Sequence, residues 1–317
     1  MSFAGKRLLH IGAALFQVPA LACARRNGCR LIVVDRDAAA PGRVFADRFE
    51  PISTTDFEAV LALAREERID GIMTYASDSS TPTVAYVAEQ LGLRGNSSEA
   101  AHTLRRKDLF RRLQQAHGLP HPDFFATSDP EEAVRRTESL PLPIVVKPAD
   151  SAGTKGQSVI YSLKEVPAAL DYALRFSQCG QAVFETFVKS DMLELDGDVL
   201  VKDGRLAFRH YGHNYFLKNP ISNVPSGECF PGFFDDAVCC SLDEQFRAII
   251  EALDLQCGCM NFDGLYADGK AYIIDIGMRN GGNYVPDLIK LSTGFDLTEA
   301  AIAVALGIDY PCESLYA

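Results

Sequence analysis

The sequence lacks the cysteine and histidine spacings that bind zinc. Its nine cysteines include no Cys-x-x-Cys pair, and its six histidines form no metal-spaced motif, His210 and His213 coming nearest. Zinc sites are built from closely spaced pairs of such ligands. We therefore expect reduced, mostly buried thiols and no zinc site.

Long hydrophobic runs and a basic surplus are also missing. No apolar run approaches the length that spans a bilayer, and the stretch from Met1 to Arg7 lacks the apolar core of a signal peptide. The formal net charge is -11. These features argue against a membrane or a nucleic acid as partner and predict a cytoplasmic protein. The 317 residues suffice for two or three domains with hydrophobic cores.

Two familiar nucleotide-binding fingerprints are absent. No Gly-x-x-x-x-Gly-Lys-Ser/Thr precedes a helix, and Gly12 stands alone where a dinucleotide fold has Gly-x-Gly-x-x-Gly. Asp35, at the end of a predicted strand, is the kind of acid that accepts a ribose hydroxyl in such folds. Without the glycines, a nicotinamide enzyme is the weaker interpretation.

Apolar β-branched runs alternate with amphipathic segments at the start of the chain, which predicts a parallel sheet with helices on both faces. Strands are expected at 8–11, 31–35 and 71–75, and helices at 19–27, 57–67 and 83–91. One basic helix is predicted to run to about Ala116, capped at its start by the stretch Asn96-Ser97-Ser98-Glu99. After Pro120 the pattern favours strands at 144–148, 182–185, 195–201, 206–211, 260–266 and 271–276, with one helix at 163–176. The long polar segment 212–234 is expected to be a lid or binding loop.

A glycine-containing turn joins two β-rich runs at residues 144–161. Gly153 and Gly156 bracket Thr154 and Lys155. Glycine lets backbone N–H groups approach a ligand, so this turn can cradle phosphate oxygens. An ordinary hairpin with a solvated tip has a similar sequence, and the alternative stays open.

An acidic hairpin is expected at residues 260–275. A type I turn over Ala267, Asp268 and Gly269 would make Asp263 and Asp275 diagonal neighbours on one face, roughly 7 Å apart. A two-residue Asp-Gly loop would place them on opposite faces instead. Adjacent carboxylates repel each other unless a cation lies between them, and Mg²⁺ prefers oxygen ligands. Arg279 follows in a glycine-rich turn suited to a phosphate or a carboxylate, or to a purely structural role.

Four separated motifs in this order resemble the ATP-grasp superfamily across essentially the whole chain. They are Lys107, the Val-Val-Lys-Pro run with its loop up to 158, Phe-Glu-Thr-Phe-Val at 184–188, and Asp263 and Asp275 with Arg279. The resemblance implies an α/β pre-ATP-grasp domain at 1–95, a linker helix at 96–118, and a two-lobed α+β ATP-grasp domain. Its small lobe would span 119–187 and its large lobe 188–317.

The resemblance also implies roles for individual residues. Arg279 would orient the carboxylate or its acyl phosphate, with Lys155 as a second catalytic cation. Asp263 and Asp275 would hold Mg²⁺ or Mn²⁺. Family members usually carry an asparagine ligand where this chain has Gly277, so Asn280, Asn283 or water would substitute, or metal binding would be weaker. ATP would contact Lys107, Lys147, Ser151, Gly153, Thr154, Gly156, Ser158, Glu185, Thr186, Val188 and Glu194.

The function implied by this resemblance is an ATP-dependent carboxylate–amine ligase that forms an amide through an acyl phosphate. Its partners would be a small carboxylate, derived from an amino acid or a sugar, and an amine, and a homodimer stays open. Two alternatives remain: an enzyme that uses carboxyphosphate or another acceptor, and a nucleotide-binding regulator without catalysis. Four residues of the segment 212–234 could contact the substrate, although a plain surface loop would explain each of them equally well: His213, Tyr215, Lys218 and Ser226.

Overall fold

The computed structural model describes residues 2–151, 153–216 and 225–312. Its N-terminal part is a parallel four-stranded sheet of order β3-β2-β1-β4, which confirms the predicted α/β arrangement. The elements are β1 (Arg7–Ile11), α1 (Val18–Arg26), β2 (Arg30–Val34), β3 (Arg48–Glu50), α2 (Phe57–Glu67), β4 (Gly71–Thr74) and α3 (Thr81–Leu91). Side chains alternate along each strand, so Leu9 and Ile11 pack with α2 and α3 while Leu8 packs on the side of α1.

The basic segment forms two helices where one was predicted. α4 (Ser98–Arg105) begins at the Ser97 cap, whose hydroxyl accepts from the Ala100 N–H, and α5 (Lys107–Ala116) follows. Arg106 between them is extended, with φ -96° and ψ 109°, and its guanidinium binds Asp108. The break places Lys107 at the start of α5, where its N–H donates to Ala149 O at 2.7 Å.

The small lobe is an antiparallel sheet of order β5-β8-β6-β7 with two helices packed on one side. The strands predicted at 144–148 and 182–185 are found as β6 and β8. The lobe contains β5 (Phe124–Thr127), α6 (Pro130–Thr137), β6 (Ile144–Pro148), β7 (Ser158–Ile160), α7 (Val166–Leu174) and β8 (Ala182–Thr186).

The large lobe is an antiparallel sheet of order β11-β10-β9-β12-β13. The prediction that 212–234 is one loop was wrong, because its two ends pair as strands β10 and β11. Three helices in this part were not predicted. The elements are β9 (Glu194–Lys202), β10 (Arg205–Phe216), β11 (Pro225–Cys229), α8 (Asp236–Ala252), β12 (Cys257–Ala267), β13 (Lys270–Gly277), α9 (Val285–Thr293) and α10 (Leu297–Ala305).

The two faces of the large-lobe sheet differ. One face is mostly apolar: Val199 and Met260 pack with Phe246 of α8, and Arg209 on the same face pairs with Asp243 of that helix at 3.2 Å. The other face is apolar only where α9 and α10 cover Leu200 and Cys259. Its remaining end carries carboxylates and faces the small lobe and the N-terminal sheet. None of the helices within the described ranges is long and apolar enough to cross a bilayer.

Candidate active site

The acidic hairpin brings Asp263 and Asp275 closer together than predicted. Asp268 and Gly269 form a two-residue turn, with φ 51° and 74°, which is the second of the two turns that the sequence left open. The register shifts by one residue between Asp263 and Gly264, leaving an extra residue in β13. This bulge returns both aspartates to one face, where they are directly opposite each other rather than diagonal.

The two aspartates differ in charge environment. Asp263 faces the cavity, and its partial desolvation, reinforced by the charge of Asp275, raises its pKa to about 6. Desolvation acts in the same direction on Asp275, but the cations around it, Lys107 first, lower its pKa overall. Lys107 Nζ lies 2.9 Å from Asp275 Oδ1 and donates to Ser151 O at 3.1 Å. One lysine thus joins the hairpin to the loop of the small lobe.

A buried ion-pair network lies beneath this point. Lys147 Nζ is 2.9 Å from Glu185 Oε2, and Arg111 Nε is 3.0 Å from Glu185 Oε1. Arg111 is 0% exposed and also donates to Ile274 O at 2.7 Å, next to Asp275. Burial lowers the pKa of Lys147, and Glu185 opposes this effect. Glu185 therefore fixes the lysine that the resemblance assigns to phosphate.

The turn at 153–156 has the backbone that its sequence favours. Gly153, Thr154 and Gly156 have positive φ values of 72°, 58° and 77°. A Cβ at Gly156 would lie 2.7 Å from Pro148 Cγ, so this position also requires glycine for space. Ser158 begins β7, opposite Val146. The turn thus arches back over the end of β6 that carries Lys147.

These elements enclose one cavity of about 870 Å³. Its walls include most of the residues that sequence reasoning singled out for ATP and metal. Thr186 contributes to the wall, but its backbone N–H already donates to Asp123 O at 2.9 Å. The predicted contact of Thr186 with ATP would therefore not use that N–H. From the predicted set the cavity is lined by Lys107, Lys147, Ser151, Gly153, Thr154, Lys155, Glu185, Thr186, Val188, Glu194, Asp263 and Asp275. Gly156, Ser158, Arg279 and Asn280 are not among its lining residues.

Arg279 is held by the N-terminal domain. Its Nε and Nη2 donate to the two carboxylate oxygens of Asp78, both at 2.8 Å. Nη1 donates to Asn261 Oδ1 at 2.7 Å and to Asn280 O at 3.1 Å. Asp78 follows β4 at the carboxyl edge of the parallel sheet. The predicted substrate-orienting arginine is therefore already aligned by a bidentate ion pair.

The structure does not support Asn280 as a metal ligand. Its side chain is buried beside Cys259. Cys259 precedes Asp263 by four residues of β12, which is about 13 Å along a strand. Gly277, where the resemblance implies an asparagine, has a steric explanation: a Cβ there would lie 2.9 Å from Arg279 Nε and still closer to Asp78 Oδ1.

The predicted substrate contacts near residue 213 are also revised. His213 pairs opposite Leu195 and therefore points to the α8 face of the sheet, where it packs against Phe234. Ser226 donates to Tyr215 O at 3.0 Å. Lys218 lies outside the described residues. Residues that sequence reasoning missed are Asp78, Arg111, Asp196, Asp198 and Asn214, which become visible only through strand register and domain packing.

A hard divalent cation fits the donors at the hairpin. Asp263 and Asp275 share a face, open to the cavity, and carboxylate oxygens are the ligands that Mg²⁺ prefers. Within the described part of the chain no group of three or more His, Cys, Asp or Glu residues could hold a metal ion. Two protein carboxylates with substrate phosphates completing the coordination is the usual arrangement for Mg²⁺.

Residues 21–95 match the ATP-grasp N-terminal domain family. A formate-dependent phosphoribosylglycinamide formyltransferase of Pasteurella multocida is 32% identical over 171 residues, which are 53% of this chain and 43% of that protein. The chain thus spans less than half of this relative.

Solved structures match over nearly the whole chain. The L-amino acid ligase from Bacillus licheniformis has a TM-score of 0.79 at 23% identity, covering 99% of this chain and 76% of that one. Phosphoribosylglycinamide synthetase from Anaerococcus prevotii also has a TM-score of 0.79, at 21% identity, covering 96% and 76%. These structural likenesses show that the chain has the ATP-grasp fold.

Proposed function

We propose that this protein is an ATP-dependent ligase that joins a small carboxylate to an amine through an acyl phosphate. The observation that carries the proposal is the convergence of Lys107, Lys147, Asp263 and Asp275 on one cavity under a glycine-containing turn. This arrangement supplies cations for phosphates, carboxylates for a divalent metal, and a turn that can exclude water.

In the proposed reaction, a carboxylate oxygen of the donor attacks the γ-phosphorus of ATP. The bond from that phosphorus to the bridging oxygen breaks, and ADP leaves. The amine nitrogen then attacks the acyl carbon, phosphate leaves, and the nitrogen loses one proton. Phosphoryl transfer of this kind needs positioning and charge neutralisation more than covalent help from the protein.

The chain's own residues would act mainly by holding charge. Lys147, held in place by Glu185, would contact the phosphates. Lys107, paired with Asp275, would neutralise charge on the γ-phosphate. Lys155 at the turn would cover the transferred group from the solvent side. Mg²⁺ held by Asp263 and Asp275 would neutralise phosphate charge and act as a Lewis acid.

A hydroxylamine trap tests this proposal. Protein, Mg·ATP and a panel of amino-acid and sugar carboxylates are incubated with concentrated hydroxylamine, and ADP and hydroxamate are measured. Hydroxamate from one carboxylate would establish the acyl phosphate and identify the donor. The Asp263→Asn and Asp275→Asn double variant should lose about 100-fold or more of this activity, whereas Asp268→Asn at the turn of the same hairpin should not.

One observation favours a second candidate, a nucleotide-binding protein without turnover. All three side-chain nitrogens of Arg279 already donate hydrogen bonds, to Asp78, Asn261 and Asn280 O, which leaves fewer N–H groups for a substrate. Nucleotide binding together with no ADP release across the carboxylate panel would favour this candidate.

A further inference from the structure

Two rows of polar side chains cross the large-lobe sheet on the face that carries Asp263. In the first row Asp275, Asp263 and Asp196 are directly opposite one another on β13, β12 and β9. In the second row Glu194, Asn214 and Glu228 are opposite one another on β9, β10 and β11. Because side chains alternate along a strand, both rows lie on one face. The acidic surface therefore extends well beyond the predicted metal pair.

The outer acids of this surface have no charged partner among the described residues. Within those ranges, no lysine, arginine or histidine forms an ion pair with Asp196 or Glu228. Asp196, which is 3% exposed, accepts from its neighbour Gly197 N at 2.7 Å and from Asn261 at 3.1 Å. Glu228 accepts from Asn283 at 3.2 Å. Burial and nearby acids raise the pKa of both carboxyl groups.

Asn214 supplies an independent indication that a ligand belongs here. Its side chain is 3% exposed and lies between Glu194 and Glu228 in the second row. Its Nδ2 donates to Asp263 Oδ1 at 3.4 Å, and its Oδ1 has no hydrogen-bond partner. The opposite amide orientation would turn the oxygen toward the Asp263 carboxylate. Buried acceptors are seldom left without a partner, and a donor on a ligand at this position would satisfy this one.

The spacing of these acceptors favours an organic cation over a metal ion. No described cluster of three or more His, Cys, Asp or Glu residues could hold a metal. Neighbouring strands are about 4.8 Å apart, so β12 and β11, three strands apart, are separated by roughly 14 Å. An elongated diamine can place one nitrogen near Asp263 on β12 and the other near Glu228 on β11, whereas a metal ion held at Asp263 cannot reach Glu228.

We propose that Asp196 and Glu228, with Asn214 on the strand between them, form an acidic subsite that attracts one charged ammonium group of the acceptor substrate, which is a diamine or a basic amino acid. This inference rests on the proposed ligase function. The attacking nitrogen has to be uncharged and close to Asp263, where the acyl phosphate would form. The charge that matches the outer acids therefore belongs to a second nitrogen of the same molecule.

Calorimetric titration of the intact protein with α,ω-diaminoalkanes of three to six carbons tests the proposal, with 1-aminoalkanes of equal length for comparison. Titrations are run without nucleotide and with Mg²⁺ and a non-hydrolysable ATP analogue. A diamine should bind at least tenfold tighter than the matched monoamine. Glu228→Gln and Asn214→Ala should each weaken diamine binding about tenfold or more, and Glu251→Gln, which removes an exposed acid on α8, should not.

Equal binding of diamines and monoamines would overturn the proposal, as would equal effects of Glu228→Gln and Glu251→Gln. Titration with Mn²⁺ alone decides the remaining case: a Mn²⁺ site lost in Glu228→Gln, with no diamine binding, would mean that the cation is a metal. The proposed ligase function has its own test: it is contradicted if the ATP analogue does not bind. Titration without nucleotide still decides whether the ammonium site exists.

Discussion

Arg279 and Asp78 form a bidentate ion pair, with both N–O distances at 2.8 Å, between the large lobe and the N-terminal domain. The carboxylate follows β4 of the parallel sheet, and the arginine follows β13 of the acidic hairpin. Arg279 lowers the pKa of Asp78 against the opposing effect of burial. Asp78 thus sets the orientation of the arginine that would meet the substrate.

Replacing Asp78 by Asn should remove this alignment while keeping the size of the side chain. We expect kcat for ADP release to fall about 10- to 100-fold, since one misplaced charged group typically costs a few kcal/mol of transition-state stabilisation. Nucleotide affinity should change less than threefold. Asp37→Asn, at an exposed acid of the same domain, is the control. Equal kcat in both variants would contradict a positioning role.

Gly277 should tolerate no side chain while Asp78 and Arg279 are paired. Gly277→Ala would place a Cβ 2.9 Å from Arg279 Nε and against Asp78 Oδ1. We expect a loss of about 1–3 kcal/mol in the free energy of unfolding, typical of overpacking. Gly227→Ala is the matched control, because nothing lies within 4 Å of a Cβ there. Equal urea midpoints for the two variants would show that Asp78 and Arg279 can move aside for a Cβ without loss of stability.

Glu185 should be essential to stability as well as to nucleotide binding. Glu185→Gln leaves Lys147 and Arg111 buried without their shared carboxylate, and removal of one partner from a buried network costs about 3–5 kcal/mol. Urea unfolding measures this loss. The double variant with Lys147→Met should recover part of it, because one of the stranded charges is then gone. No recovery would mean that Lys147 is not energetically coupled to Glu185.

Asp198 should make stability depend on pH. Its carboxylate is 0% exposed, and burial raises its pKa to about 7, although both oxygens accept from Gly281 N. A raised carboxyl pKa means that the folded state holds the proton more tightly than the unfolded state. This group's contribution is therefore favourable at low pH and is lost as pH rises toward 7. Asp198→Asn should stabilise the protein more at pH 8 than at pH 5 in urea unfolding, and an equal effect at both would contradict this assignment.

Hydrophobic patterns in the sequence were sufficient to predict most strands and the N-terminal helices. They were insufficient to predict which residues of neighbouring strands lie opposite each other. The parallel sheet, the strand before Lys147 and the hairpin strands follow from hydrophobic periodicity. The bulge beside Asp263 has no such signal in the sequence. It keeps Asp263 and Asp275 on one face, although a two-residue turn alone would place them on opposite faces. The helical spacing of Val238, Leu242, Phe246 and Ile249 in α8 was present in the sequence but was overlooked.

The missed site residues belong to contacts distant in the chain. Asp78 and Arg279 are 201 residues apart, and Arg111 contacts Ile274 across 163 residues. No local pattern encodes such pairs. Asp196 lay in a predicted strand and Asn214 in the segment predicted to be a loop, and only the five-stranded order places them beside Asp263. The domain boundaries at 95, 118 and 187 and the individual ligand roles stay predictions.

The most direct test of the central claim is calorimetric binding of a non-hydrolysable ATP analogue, with and without Mg²⁺, to the wild type and to Asp263→Asn. We predict binding that Mg²⁺ strengthens at least tenfold in the wild type, with most of that gain lost in Asp263→Asn. Asp268→Asn should keep the full gain. A Mg²⁺ effect that survives in Asp263→Asn, or no nucleotide binding at all, would contradict the assignment of this cavity.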